Sequence, residues 1–363
     1  MINHQLICKV LGQLLFLEAV LLMVSLGVSI GYQEDDVFAF LVTIFITIGA
    51  GLALKWRGHN ADNSMSRRDA YLVVSLAWIV FSFFGTFPFL ISGYIHSFTD
   101  AYFETMSGFT TTGATIIDNV EVLPHGLLFW RSLTQWIGGL GIVFFTIALL
   151  PSLVGGQIKV FAAEATGPIK TKLHPRLSTS AKWIWSIYIV LTIACIVSYY
   201  FGGMNVFDSF NYAMTTTATG GFATHNTSTE FFHSPTLEYI CTLFTFLSGI
   251  NFTLLYAAVI KLNIKNLFKN SEFKFYIFLV VVFTAFIMME LMTMRHYDLE
   301  RAFRCGLFQV VSFITTTGLF NDDAATWPHV TWVVLAACMF FGACSGSTSG
   351  GLKCIRGVML VRM

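Results

Sequence analysis

Long apolar stretches constrain this chain more than any other feature of its sequence. Five of them carry at most one charge each: Val10–Ile30, Val37–Leu54, Tyr71–Ile95, Trp183–Phe201 and Phe275–Met289. A helix needs about 20 mostly apolar residues to cross a bilayer. Only 11% of the residues are charged, whereas soluble domains carry about 25%. The composition excludes an ordinary soluble domain and predicts an all-α integral membrane protein.

Positive charge is concentrated in alternate connections between the apolar stretches. Lysine and arginine cluster at 55–68, at 159–182, at 261–274 and at 353–362, while most intervening connections are acidic. Basic loops stay in the cytoplasm, so the pattern predicts a multi-pass chain with a cytoplasmic N-terminus. The stretch 295–304, which mixes both signs, is the exception.

A threonine-glycine motif occurs three times, about 100 residues apart, at 110–113, 217–220 and 315–318. Ahead of each motif lies a segment too short to span a bilayer. These segments are Phe98–Phe109, Val206–Thr216 and Glu300–Ile314. The charge pattern requires each of them to enter and leave on the outer side, so they are predicted to be re-entrant pore helices.

The repeat predicts a domain organisation of two extra N-terminal helices followed by three helix–pore-loop–helix units. The extra helices are expected at about 8–31 and 36–55, within residues 1–60. The units are expected at 61–160, 161–265 and 266–363.

The threonine-glycine motifs are suited to binding a cation. Non-helical backbone at membrane depth survives where it is buried in protein or lines a water-filled path. Rings of backbone carbonyls can replace the hydration shell of a potassium ion. One such motif alone would indicate a helix cap or a turn. Three at near-equal spacing, each ahead of a spanning helix, favour a cation filter.

Five sequence blocks resemble the Trk/Ktr/HKT superfamily of potassium transporters. They are FETMSGFTTTGAT (103–115), RSLTQWIGGLGIV (131–143), TTTATGGFATHN (215–226), TTTGLF (315–320) and GACSGSTSGGLK (342–353). The two extra helices favour the bacterial Trk branch. The resemblance implies potassium uptake through a filter of main-chain oxygens, with no cofactor and no enzymatic activity.

The resemblance implies filter positions in all three motifs: Thr110, Thr111, Thr112, Gly113, Thr217, Ala218, Thr219, Gly220, Thr315, Thr316, Thr317 and Gly318. Potassium is expected at the last two residues of each motif: Thr112, Gly113, Thr219, Gly220, Thr317 and Gly318. Gly113 stands where sodium-selective plant relatives carry serine, so potassium is the expected ion.

A run of small residues interrupts the last predicted helix, at about 327–357. In the family it resembles, the matching loop is the gate. The expected gate residues are Gly342, Ser345, Gly346, Ser347, Thr348, Gly350 and Gly351. Glycine and serine disfavour a straight helix at this place. The run does not match a phosphate-binding loop or a serine-protease motif.

Several residues near the predicted filter have expected structural roles. Glu18 is expected to pair with a neighbouring polar group. Glu104 is expected to form hydrogen bonds behind the filter. Arg131 is expected to pair with a pore-helix acid, either Glu104 or Asp100, and the sequence does not choose between them. The cluster at 138–141 is expected to be a close helix-packing surface.

The family closes its pore with four units, whereas this sequence holds three, so a truncated and inactive fragment is one alternative. A cation-coupled secondary transporter with broken helices is another. The resemblance implies a homodimer in a bacterial inner membrane, with a cytoplasmic nucleotide-binding regulatory subunit and no nucleic-acid partner. The basic loops at 159–182 and 261–274 suit docking of that subunit, and equally suit anionic lipid headgroups.

Overall fold

The computed structural model describes residues 2–62, 65–141, 177–259 and 264–362, and their regular structure is helical. The first helices are α1 (His4–Tyr32), α2 (Val37–Arg57), α3 (Arg67–Gly85), α4 (Phe87–Ser92), α5 (Phe98–Phe109) and α6 (His125–Gly139). They are followed by α7 (Leu177–Phe201), α8 (Val206–Ala218), α9 (Pro235–Ser248), α10 (Phe252–Val259) and α11 (Ile264–Lys269). The last are α12 (Ser271–Met294), α13 (Leu299–Ile314), α14 (His329–Phe341) and α15 (Cys354–Arg362).

Five helical segments of the described chain are long and apolar enough to cross a membrane. They are His4–Tyr32, Val37–Arg57, Arg68–Ser92, Lys182–Phe201 and Ser271–Met294. Helices α9 and α10 together qualify as a sixth span, but they meet at an angle of 105°. The prediction of an all-α membrane protein is confirmed. The break between α9 and α10 was not predicted.

The described residues fall into two compact units, one containing 2–141 and 177–185 and the other containing 186–362. The predicted boundary at 160, the basic stretch at 159–176 and the motif end at 142–143 lie outside the described residues. The predicted boundaries of the repeat units stay a prediction.

The two predicted N-terminal helices form as α1 and α2. They pack closely against each other through glycine residues. A Cβ on Gly12 would lie 2.8 Å from the carbonyl oxygen of Gly51, so a side chain there would push the helices apart. Small residues at such a contact let helix backbones approach closely.

The expectation for Glu18 is wrong in one respect. Its side chain on α1 is buried, but neither carboxylate oxygen has a hydrogen-bond partner. The next polar side chain on the same face of α1, Ser25, is two helical turns away, about 10 Å along the axis. Its hydroxyl is also without a hydrogen bond. The polar groups on this face are therefore too widely spaced to pair with one another.

The three predicted pore helices form as α5, α8 and α13, close to the expected bounds. In the second unit, the N-caps Asn205 and Asp298 accept hydrogen bonds from the backbone of Asp208 and Arg301, which sets where α8 and α13 begin. A buried cluster that includes Tyr199, Cys241 and Phe308 packs behind these helices. Local capping and core packing together position the two threonine-glycine segments of this unit.

Candidate functional site

The first threonine-glycine segment leaves α5 with an unusual backbone conformation. Thr111 and Gly113 both have positive φ, 54° and 74°. The amide of Thr112 donates to the carbonyl of Ser107 at 2.9 Å, which folds the segment back onto the end of α5. Thr110 caps that helix and shares a hydroxyl contact of 2.8 Å with Thr112.

The third segment repeats this conformation after α13. Thr316 and Gly318 have φ of 56° and 85°. The amide of Thr317 donates to the carbonyl of Ser312 at 2.8 Å, and the hydroxyls of Thr315 and Thr317 lie 2.7 Å apart. The first and third segments therefore leave their helices in the same non-helical conformation. Ion filters use the carbonyls of non-helical backbone in place of the hydration shell of the ion.

The second segment adopts the same conformation one residue later than predicted. Positive φ occurs at Thr219 (52°) and Gly221 (87°). The amide of Gly220 donates to the carbonyl of Thr215 at 2.9 Å, the bond that Thr112 makes in the first segment. The structural counterpart of Gly113 and Gly318 is therefore Gly221, and Gly220 takes the middle position.

The predicted segment 217–220 is accordingly corrected to 218–221. Thr217 lies inside α8, where its hydroxyl bonds to the carbonyl of Ala213 at 2.8 Å. Ala218 takes the place of Thr110 and Thr315. The sequence holds two adjacent glycines here, Gly220 and Gly221, and a pattern of threonines followed by one glycine does not say which of them takes the fourth position.

The second and third segments lie against each other within the second unit. A Cβ added to Gly221 would lie 2.1 Å from the carbonyl oxygen of Thr317, closer than any real contact. Beyond the segments, the amide of Thr229 donates to the carbonyl of Phe320 at 3.1 Å. The second and third segments are therefore in backbone contact. This close approach requires glycine at 221.

A buried ion pair supports the first segment. The Nε of Arg131 on α6 lies 2.8 Å from Oε1 of Glu104 on α5, and the two residues are 3% and 1% exposed. Glu104 also accepts from the hydroxyl of Thr115 at 3.0 Å and the amide of Ile116 at 3.1 Å. Arg131 therefore pairs with Glu104 rather than Asp100, and Glu104 holds the residues that follow the first segment.

The cluster at 138–141 packs against the same segment, as predicted. A Cβ on Gly138 would lie 1.9 Å from the carbonyl oxygen of Phe109, the last residue of α5. Helix α6 can therefore touch the backbone at the base of the first segment.

Carboxylates also hold the residues that follow the other two segments. Asp208 on α8 accepts from the hydroxyl of Thr224 at 2.6 Å and lies 3.3 Å from Nε2 of His225. Burial alone would raise the pKa of Asp208, but these hydrogen bonds lower it below its ordinary value. Behind the third segment, Arg304 on α13 lies 2.6 Å from Glu238 on α9.

The predicted gate run 342–351 separates α14 from α15 and contacts the last turn of α8 and the third segment. The hydroxyl of Thr348 donates to the carbonyl of Thr217 at 3.1 Å. The amide of Gly350 donates to the hydroxyl of Thr316 at 2.7 Å. The run is therefore hydrogen-bonded both to α8 and to the third threonine-glycine segment.

Glycines shape this gate loop. Gly342, Gly346 and Gly351 have φ of 68°, 71° and 76°. A Cβ on Gly351 would lie 2.7 Å from the Cα of Gly342, so the two arms of the loop touch through backbone alone. Between them, the hydroxyls of Ser347 and Ser349 lie 3.0 Å apart.

Three features that hold the gate loop were missed in the sequence. The loop is hydrogen-bonded to the break between α9 and α10. The amide of Cys344 donates to the carbonyl of Gly249, and the amide of Phe252 donates to the carbonyl of Gly346, both at 3.0 Å. The carboxylate of Glu272, at the start of α12, accepts from the amide of Ser345 at 2.6 Å. The ammonium of Lys353 donates to the carbonyl of Ser349 inside the loop.

Weak signals for these features were present. A serine-glycine pair stands at the α9 break, and Glu272 is an acid at the head of a mostly apolar span. Neither signal indicates a partner, since the partners lie more than 70 residues away. Among the described residues, no group of three or more His, Cys, Asp or Glu side chains could hold a metal ion.

Comparison with known proteins places this geometry in a family. The family model described as "Cation transport protein" (TrkH) matches residues 36–363. The Trk system potassium uptake protein TrkH of Halomonas elongata is 35% identical over 360 residues, covering 99% of this chain and 75% of that protein. Its namesake in Escherichia coli K12 is 36% identical over 361 residues, covering 98% and 74%.

A solved structure has the same fold. The crystal structure of the potassium transporter TrkH from Vibrio parahaemolyticus superposes with a TM-score of 0.86 at 35% identity, covering 98% of this chain and 74% of that one. The chain thus spans about three quarters of the length of these relatives. On the family match and on the near-complete coverage at this identity, the chain belongs to the TrkH family of cation transport proteins.

Proposed function

We propose that this chain carries potassium ions into the cell through a single-file path lined by backbone carbonyls. The observation that carries the proposal is the shared conformation of the three segments, each with positive φ at its second and fourth residue. Each segment follows the C-terminal end of a pore helix, where the helix dipole is negative and favours a cation. The relatives that match nearly all of this chain are named as potassium uptake proteins.

The proposed coordinating oxygens follow the corrected register. They are the main-chain oxygens of Thr111, Thr112, Gly113, Thr219, Gly220, Gly221, Thr316, Thr317 and Gly318. The gate loop at 342–351 controls passage below them. Its hydrogen bonds to Thr217 in the last turn of α8 and to Thr316 in the third segment tie its position to the end of a pore helix and to a filter segment.

The proposal includes the setting of the protein. The N-terminus lies in the cytoplasm of a bacterial cell and the helices lie in its inner membrane. The basic connections support this orientation, because basic loops stay in the cytoplasm. The protein acts as a homodimer and a transporter rather than an enzyme. A cytoplasmic nucleotide-binding subunit regulates it by docking on the basic surface around α11, which carries Lys265 and Lys269.

The test is ion flux through the purified chain in liposomes. We expect rubidium and potassium to enter faster than sodium, and Gly113→Ser to reduce that preference. A side chain at positive φ costs about 1–2 kcal/mol. The backbone relieves this strain by rotating, and the rotation tilts the carbonyl of residue 113 away from the ion. Ala114→Ser, at the next position and without positive φ, is the matched control.

Two outcomes would count against the proposal. One is flux that does not distinguish potassium from sodium in the unmodified chain. The other is an equal loss of preference in Gly113→Ser and Ala114→Ser, because the backbone angle at 113 would then have no special role.

A further inference from the structure

Glu272 contacts both arms of the gate loop. Its Oε1 accepts from the amide of Ser345 at 2.6 Å and from the amide of Ile355 at 3.2 Å, and its Oε2 accepts from the hydroxyl of Ser345 at 3.1 Å. Ser345 belongs to the arm that leaves α14, and Ile355 lies in the first turn of α15. One carboxylate therefore joins the two helix ends that the gate loop separates.

The N-cap of α12 fixes the backbone of Glu272. The side-chain oxygen of Asn270 caps α12 by accepting from the amides of Glu272 and Phe273, at 2.9 and 3.0 Å. An N-cap of this kind fixes the first turn of a helix. The backbone that carries Glu272 is thus anchored independently of the gate loop.

The contact is buried and charged. Glu272 is 5% exposed and Lys353, at the end of the loop, is 7% exposed. Lys353 attracts the carboxylate electrostatically, while its ammonium bonds to Ser349 within the loop. Hydrogen bonds to a buried carboxylate are about twice as strong as those between neutral groups.

We propose that Glu272 is a positioning residue that latches the gate loop in its closed arrangement. The inference rests on the proposed function, because it takes the run 342–351 to be the gate. Separation of the loop arms requires the Ser345 and Ile355 bonds to break together. Opening therefore begins with release of this carboxylate, and the latch sets how often the loop opens without a stimulus.

Thiol accessibility tests the latch without depending on ion flux. Cys344, next to Ser345, is fully buried, so alkylation by N-ethylmaleimide reports opening of the loop. We expect Glu272→Gln in the full chain in liposomes to raise the alkylation rate of Cys344 about tenfold, the ratio that corresponds to 1.4 kcal/mol. Peptide mass spectrometry measures this rate separately for each cysteine.

Controls separate the latch from general damage. Glu290→Gln makes the same chemical change on the same helix, far from the loop, and should leave Cys344 unchanged. Cys241, buried in the core of the second unit, should keep its slow rate in every variant. Ser345→Ala removes one of the three bonds and should raise the Cys344 rate about fivefold, which provides a second test if Glu272→Gln folds poorly.

Equal Cys344 rates in Glu272→Gln, Ser345→Ala and the unmodified chain would overturn the latch. A parallel rise at Cys241 would overturn it too, because the substitution would then loosen the whole unit. Rubidium flux is measured on the same samples. Faster alkylation together with faster flux and unchanged potassium preference supports both proposals. Faster alkylation without any selective flux keeps the latch and counts against the conduction pathway.

Discussion

Gly221 is a position where the structure predicts a large effect of a single methyl group on ion selectivity. In Gly221→Ala the new Cβ would lie 2.1 Å from the carbonyl oxygen of Thr317, whereas ordinary contact begins at 3.4 Å. One segment must therefore move by about 1.3 Å, and the positive φ of 87° adds about 1–2 kcal/mol of strain. Displacement on this scale removes a carbonyl from any shared coordination site, since filter oxygens must stand in for the hydration shell.

The assay compares Gly221→Ala with Gly220→Ala in liposomes, by rubidium and sodium flux. Gly220 does not have positive φ, and its counterparts Thr112 and Thr317 carry side chains. We expect the preference for rubidium to fall at least about tenfold in Gly221→Ala, corresponding to 1.4 kcal/mol, and to change less in Gly220→Ala. A larger loss in Gly220→Ala would show that the uncorrected register is right, and full retention in Gly221→Ala would refute the steric argument.

Two further predictions concern the supports of the first filter segment and the closure of the gate loop. Arg131→Met leaves the buried Glu104 carboxylate without its charged partner, so the free energy of unfolding should fall by about 3 kcal/mol in a reversible detergent titration; a loss below about 1 kcal/mol would contradict this. Gly351→Ala places a Cβ 2.7 Å from the Cα of Gly342 and should separate the loop arms, raising unstimulated rubidium flux at unchanged selectivity. Flux equal to that of the unmodified chain would show that the glycine contact does not hold the loop closed.

The apolar spans and the pore helices could be predicted from the sequence because their signals are local. Helix α5 has the predicted bounds Phe98–Phe109, and the interruption at 342–351 separates α14 from α15 as expected. Length, hydrophobicity and glycine content act over neighbouring residues. The helices that these local properties predict therefore form independently of the tertiary contacts of the chain.

The sequence narrowed the partner of Arg131 to two acidic residues but did not decide between them. Asp100 and Glu104 lie one turn apart on α5, and both are within reach of the next helix by spacing alone. The packing of α5 against α6 brings the Arg131 guanidinium to Glu104. Asp100 lies one turn earlier, in the first turn of α5, where the helix dipole favours an acidic side chain without a basic partner.

The sequence by itself determined the fold class, the positions of the three short helices ahead of the threonine-glycine motifs, and the interruption at 342–351. The register of the second segment and the place of Glu272 were decided by tertiary structure alone. At 220–221 two adjacent glycines are equivalent in any pattern, and only the backbone of Thr317 distinguishes them. Glu272 meets Ser345 across 73 residues, and its role exists only once α12 and the gate loop are packed together, because a hydrogen bond depends on distance in space rather than along the chain.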